Sequence, residues 1–76
     1  MAAPKTTWPE LVGEDVDAAV IQIKSDRRDV QMVVCVPLND DPPSPAPQGV
    51  VRVVLYYAID EQGLRYVCDE PPPTIG

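Results

Sequence analysis

The sequence predicts an α+β fold in a single domain, residues 1–76, with one helix packed on a small sheet. Three observations carry that reading. Val16, Ala19, Val20 and Ile23 recur at i, i+3, i+4 and i+7 and line one helical face. From Val50 to Tyr57 two sets alternate: Val51, Val53, Leu55 and Tyr57 against Val50, Arg52, Val54 and Tyr56, the two-residue period of a strand. Asp60-Glu61-Gln62-Gly63 then reads as a turn, after which Leu64 to Cys68 returns antiparallel.

In chain order, residues 1–12 are expected to form an extended arm ending at a turn, with the chain's one Trp, Trp8, set beside Pro9 and ahead of Gly13. The helix is expected over 15–25. Asp15 can cap its N-terminus and Asp17 sits well in the first turn, while Lys24, Arg27 and Arg28 lie at or beyond the last turn, where cations are favoured. Gln31 to Val36 is rich in β-branched residues and stops at Pro37, so it reads as a strand. Residues 38–49 follow as a long loop with four prolines, two adjacent aspartates and the chain's one Asn. A loop of that length inside so small a domain is usually functional or disordered, and prolines reduce the entropy lost when such a loop docks. Prolines 71–73 cannot donate ladder bonds, so the tail 71–76 is expected to lie extended on the surface.

Composition narrows the function. The net charge is −6, which argues against nucleic acid or an anionic membrane as partner and suits a soluble, monomeric protein that meets another protein. His is absent, which removes the commonest general base and the commonest metal ligand. Ser44 therefore has nothing to activate it, and no enzyme is expected. Asn39, Asp40 and Asp41, like Asp69 and Glu70, read as solvated loop residues, so neither metal nor cofactor is expected. No apolar run follows Met1-Ala2-Ala3-Pro4-Lys5, which predicts no signal peptide and a cytoplasmic or storage-tissue setting.

Thr7-Trp8-Pro9-Glu10-Leu11-Val12-Gly13, the helix with Val16 and Ala19, the strand Arg52-Val53-Val54-Leu55-Tyr56-Tyr57 and the ending Pro73-Thr74-Ile75-Gly76 together resemble the potato inhibitor I family. These are small plant proteins that block serine proteases of the chymotrypsin and subtilisin type, tied to plant defence and the response to wounding, and related members are also secreted. The resemblance implies a mixed sheet whose first two strands are parallel and joined by a long exposed binding loop, followed by an antiparallel strand. It also implies that a protease takes the loop as substrate and cuts it slowly. On that arrangement Cys35 and Cys68 sit on the first and third strands. Two strand spacings come to about 9.6 Å, beyond the ~7 Å reach of a disulfide, so two separate thiols are expected.

The chain departs from the family pattern at the loop. Arg52 matches one of two arginines that usually brace the loop from beneath, while Val54 stands in place of the second. The loop is about three residues longer than usual, judged between Pro37 and Arg52. The protease-binding residues implied are Asp41, Pro42, Pro43, Ser44, Pro45, Ala46, Pro47 and Gln48. Counting back from Arg52 places the scissile bond at Ala46–Pro47; counting forward from Pro37 places it at Ser44–Pro45. Both put proline after the bond, which predicts altered or weakened inhibition. Ala46 and Ser44 are small and no basic residue occurs from Val30 to Val51, so subtilisin-, elastase- or chymotrypsin-like enzymes are expected before trypsin. Two alternatives stand beside this reading. The Pro-rich loop can serve a non-inhibitory interaction module as a polyproline II segment, and Arg52 can be a solvent-exposed arginine rather than a brace.

Overall fold

Asp15 starts the helix by staying outside it. Its backbone is extended (φ −59°, ψ 138°) and its carboxylate accepts a hydrogen bond from the Ala18 N–H at 3.2 Å, so helix α1 runs Val16–Asp26. That is one residue later at each end than expected, because a capping residue is not itself helical. Val16, Ala19 and Ile23 are buried and Val20 packs beside them, while Asp17 and Lys24 occupy the first and last turns. The computed structural model describes residues 5–69 and 71–76. The first four residues of the expected arm, and Glu70, lie outside them.

Four strands make one mixed sheet: β1 Met32–Pro37, β2 Arg52–Ile59, β3 Arg65–Val67 and β4 Thr74–Ile75. β1 and β2 are parallel, paired from Met32↔Arg52 to Pro37↔Tyr57. The other edge of β2 is shared between two antiparallel partners, β3 at its end (Tyr57↔Val67) and β4 at its start (Val53↔Ile75). The sheet is therefore built around β2, whose Val53 and Leu55 are fully buried against Trp8, Val16, Ala19 and Ile23. β2 begins later than expected because Val50 closes a turn, donating its N–H to Pro47 O at 3.1 Å, and Val51 O accepts from Gln31.

The tail corrects one expectation. Prolines 71–73 carry no N–H, but the donors resume at once: Ile75 N–H bonds to Thr6 O and Gly76 N–H to Arg52 O, each at 2.9 Å. The tail is thus held between the arm and β2 rather than lying free on the surface, and Pro73 is fully buried with its carbonyl accepting the Trp8 N–H at 2.8 Å. Trp8 has no exposed surface, and its indole N–H reaches Asp26 Oδ2 at 3.2 Å. Burying such a ring is worth roughly 4–6 kcal/mol before entropy is counted, which is how a short arm closes a small core. Lys5 completes the clamp, pairing with Glu10 and lying 3.6 Å from Asp26. Gly13 takes φ +88° where the chain turns toward the helix, and its N–H bonds to Val67 O at 2.8 Å.

Cys35 pairs with Leu55 on one side of β2, while the Cys68 N–H bonds to Tyr56 O on the other at 2.8 Å. No disulfide joins them, as the strand spacing requires. Among the described residues no helix is long and apolar enough to cross a membrane.

Candidate functional site

A parallel pair in register sets the path of the loop. β1 ends at Pro37 beside Tyr57, and β2 begins at Arg52 beside Met32, so residues 38–51 must travel back about 16 Å along the sheet. Both ends of this crossing are tied to backbone. Leu38 N–H bonds to Tyr57 O and Asp40 N–H to Pro37 O, each at 2.9 Å. At the far end Val50 N–H bonds to Pro47 O, with Gly49 at φ +83° making the turn.

Between those ends, residues 41–46 belong to no helix or strand, and Pro42, Pro43 and Pro45 offer no N–H to any ladder. One side chain holds this span among the described residues. Arg52 Nη1 donates to Ser44 O at 2.7 Å while its Nε donates to Gly76 O at 2.9 Å. Its guanidinium fork thus joins the loop to the chain's end, and Gly76 returns a bond from its N–H to Arg52 O. At 8% exposure Arg52 is the one buried charged side chain among the described residues. Both acceptors are main-chain oxygens, and no side-chain carboxylate pairs with it among the described residues.

The sequence-derived site residues divide by exposure. Asp41, Pro42, Ser44, Pro45, Pro47 and Gln48 are exposed, whereas Pro43 and Ala46 are half-buried. Asp41 makes no ion pair among the described residues, so the contact from Arg52 goes to backbone and not to a loop acid. Val54, on the same face of β2 as Arg52, is half-buried and offers the loop no donor. The groups with shifted titration lie elsewhere. Hydrogen bonding to the Lys5 ammonium lowers Glu10, the Arg27 guanidinium lowers Asp29, and burial raises Cys35. The grooves lined by Lys5, Glu10, Ala18 and Asp26, and by Val12, Leu38, Tyr66 and Cys68, involve none of residues 41–48. The loop is a surface to be gripped, not a cleft that grips. Among the described residues no group of three or more His, Cys, Asp or Glu is placed to hold a metal ion.

An exposed loop crossing a parallel strand pair, tethered from beneath by a buried arginine, directs comparison to protease inhibitors. The family profile described as the potato inhibitor I family matches residues 1–76. The chain belongs to the potato inhibitor I family. Members are protease inhibitors and not enzymes, so the chain is no enzyme. Among solved structures it is similar to the crystal structure of bitter gourd trypsin inhibitor, with 28% identity, a TM-score of 0.61, and 97% of this chain and 96% of that chain covered. A search of curated proteins returned no match.

As a potato inhibitor I chain it has two features that residue patterns did not reveal. The acceptors of Arg52 are main-chain oxygens, which leave no mark in a sequence. Gly76 is part of the tether, and the one signal for it was the family-like ending Pro73-Thr74-Ile75-Gly76.

Proposed function

We propose that the chain inhibits a serine endopeptidase through residues 38–49, which dock in substrate-like fashion with altered or weakened specificity. The observation that supports this most is the Arg52 tether to the Ser44 carbonyl beneath an otherwise unladdered, exposed segment. Preorganisation is what separates an inhibitor loop from a substrate, because a loop already held in the docking shape loses little entropy on binding and keeps its cut ends in place. Weakening follows from the prolines. A docked strand bonds to the protease through alternate N–H and C=O groups, yet between 42 and 48 only Ser44, Ala46 and Gln48 carry an N–H. Each missing bond forfeits about 0.5–1.5 kcal/mol.

A second reading is favoured by one observation. Pro42 and Pro45 are exposed three residues apart, the repeat of a polyproline II face that an aromatic groove reads. One experiment separates the two. The whole protein is assayed against subtilisin, chymotrypsin, elastase and trypsin, and the isolated 38–49 peptide is tested alongside it. Inhibition by the protein with at least about 100-fold weaker binding by the peptide supports the inhibitor. A peptide that binds a groove-bearing partner as well as the protein does, with no protease inhibited, supports the module.

A further inference from the structure

We infer that the specificity residue of this loop is Pro45 and its scissile bond Pro45–Ala46, so that the enzyme it fits is a serine endopeptidase whose primary pocket accepts a proline ring. The inference rests on the inhibitor reading above. Within residues 41–47, the span that precedes the closing turn at 48–49, three requirements decide the bond. The carbonyl attacked by the protease must face outward into an oxyanion hole. The side chain before the bond must stand clear of the inhibitor to enter a pocket. The leaving nitrogen must be a secondary amide, since a proline nitrogen constrains the residue before it and fits the site poorly.

Ser44 fails the first requirement, because its carbonyl is turned inward onto Arg52 Nη1 at 2.7 Å. Pro47 fails it too, since its carbonyl accepts the Val50 N–H within the closing turn. Pro43 and Ala46 fail the second, both being half-buried; their spacing of three matches the three residues per turn of a polyproline II strand, whose inward face they form. Asp41–Pro42, Pro42–Pro43, Ser44–Pro45 and Ala46–Pro47 fail the third. Pro45 alone in that span fails none of them: its ring is exposed, its carbonyl accepts no hydrogen bond among the described residues, and Ala46 supplies a secondary nitrogen.

The pyrrolidine ring is small and apolar and carries no N–H, so the matching pocket is shallow and its enzyme does not depend on a main-chain bond from that residue. In the slow reaction the protease serine oxygen bonds to the Pro45 carbonyl carbon, the bond to Ala46 nitrogen breaks, and that nitrogen leaves with a proton as an amine. Water then hydrolyses the acyl-enzyme, leaving a Pro45 carboxylate and restoring the serine.

The test uses the full chain. Prolonged incubation with a post-proline-cleaving serine endopeptidase, followed by mass spectrometry, should give fragments 1–45 and 46–76. In parallel, S44K, P45K and A46K are assayed against trypsin, whose pocket takes Lys, with circular dichroism of each variant. P45K alone should gain inhibition, by about 100-fold, the effect of one anchoring residue. A cut after Ser44 or Ala46, a silent but folded P45K, or an equal gain in S44K or A46K overturns the Pro45 assignment while leaving the inhibitor reading intact. Absence of inhibition of every protease by the wild type, with no gain in any folded variant, overturns that reading and this inference with it.

Discussion

Arg52 holds the Ser44 carbonyl at 2.7 Å from a position eight residues further along the chain, and with the same guanidinium it holds Gly76 O at 2.9 Å. Loop and C-terminal segment are thus coupled through one side chain rooted at the start of β2. A charged hydrogen bond of this kind is worth about 1.5–3 kcal/mol; here one goes to the loop and one to the C-terminal segment, and the core lies on the opposite face of the strand.

R52A is therefore expected to weaken inhibition by about 10- to 100-fold, the conversion of that energy, and to speed cleavage within 41–48. The global denaturation midpoint should fall less, because the freed carbonyls can hydrate. R52K keeps the charge but not the fork, so it should satisfy one acceptor and fall between R52A and the wild type. Limited proteolysis and urea melts on the same samples check this. Equal proportional losses in loop protection and global stability would count against the tether.

Trypsin should not be inhibited through this loop, although the chain is similar to a trypsin inhibitor in structure. Trypsin's pocket pairs an acidic residue with Lys or Arg, and residues 30–51 contain neither. Leaving that acid unpaired in a closed interface is costly. Inhibition assays across a protease panel should show trypsin weakest, and tight trypsin inhibition abolished by a substitution within 41–48 would refute this.

Much of this architecture is legible in the sequence. The period of Val16, Ala19, Val20 and Ile23 located the helix, and Arg52 fell outside the core-facing set of its strand because alternation puts it there. Two things were not legible. The pairing of Thr74 and Ile75 with β2 was hidden behind three prolines, whose lack of donors says nothing about the donors that follow. The choice of Ser44 O as the tether's acceptor was hidden because every residue carries a carbonyl. Counting registers from either end of the loop could not recover it, since the length that separates Pro37 from Arg52 is distributed among turns at both ends.

Acid should loosen the arm through Glu10. Hydrogen bonding to the Lys5 ammonium, and then its own backbone, hold the Glu10 carboxyl below its ordinary value of 4.5. A carboxyl lowered in the folded state stabilises that state fully above the ordinary value, and the contribution disappears as pH falls through the lower folded value. Both partners are exposed, so the effect is small and local. Fluorescence of Trp8, which the same arm carries, should shift below pH 4.5 in the wild type. E10Q should lack that component, and identical acid profiles for the two proteins would argue against it.

Cys35 should be a sluggish thiol. Partial burial against the core raises its pKa above the ordinary value of 9.0, with Arg65 opposing and Asp17 adding in the same direction. Since the thiolate is the reactive species, a raised value lowers its fraction at any working pH. Iodoacetamide at pH 8 should therefore modify native Cys35 several-fold more slowly than the same residue in denaturant. Under denaturing, non-reducing conditions both cysteines should titrate, giving two thiols per chain. Peptide mapping assigns each rate to its residue. Rapid alkylation of Cys35 in the folded protein would mean that β1, the strand from which the loop departs, opens far more readily than its parallel pairing with β2 implies.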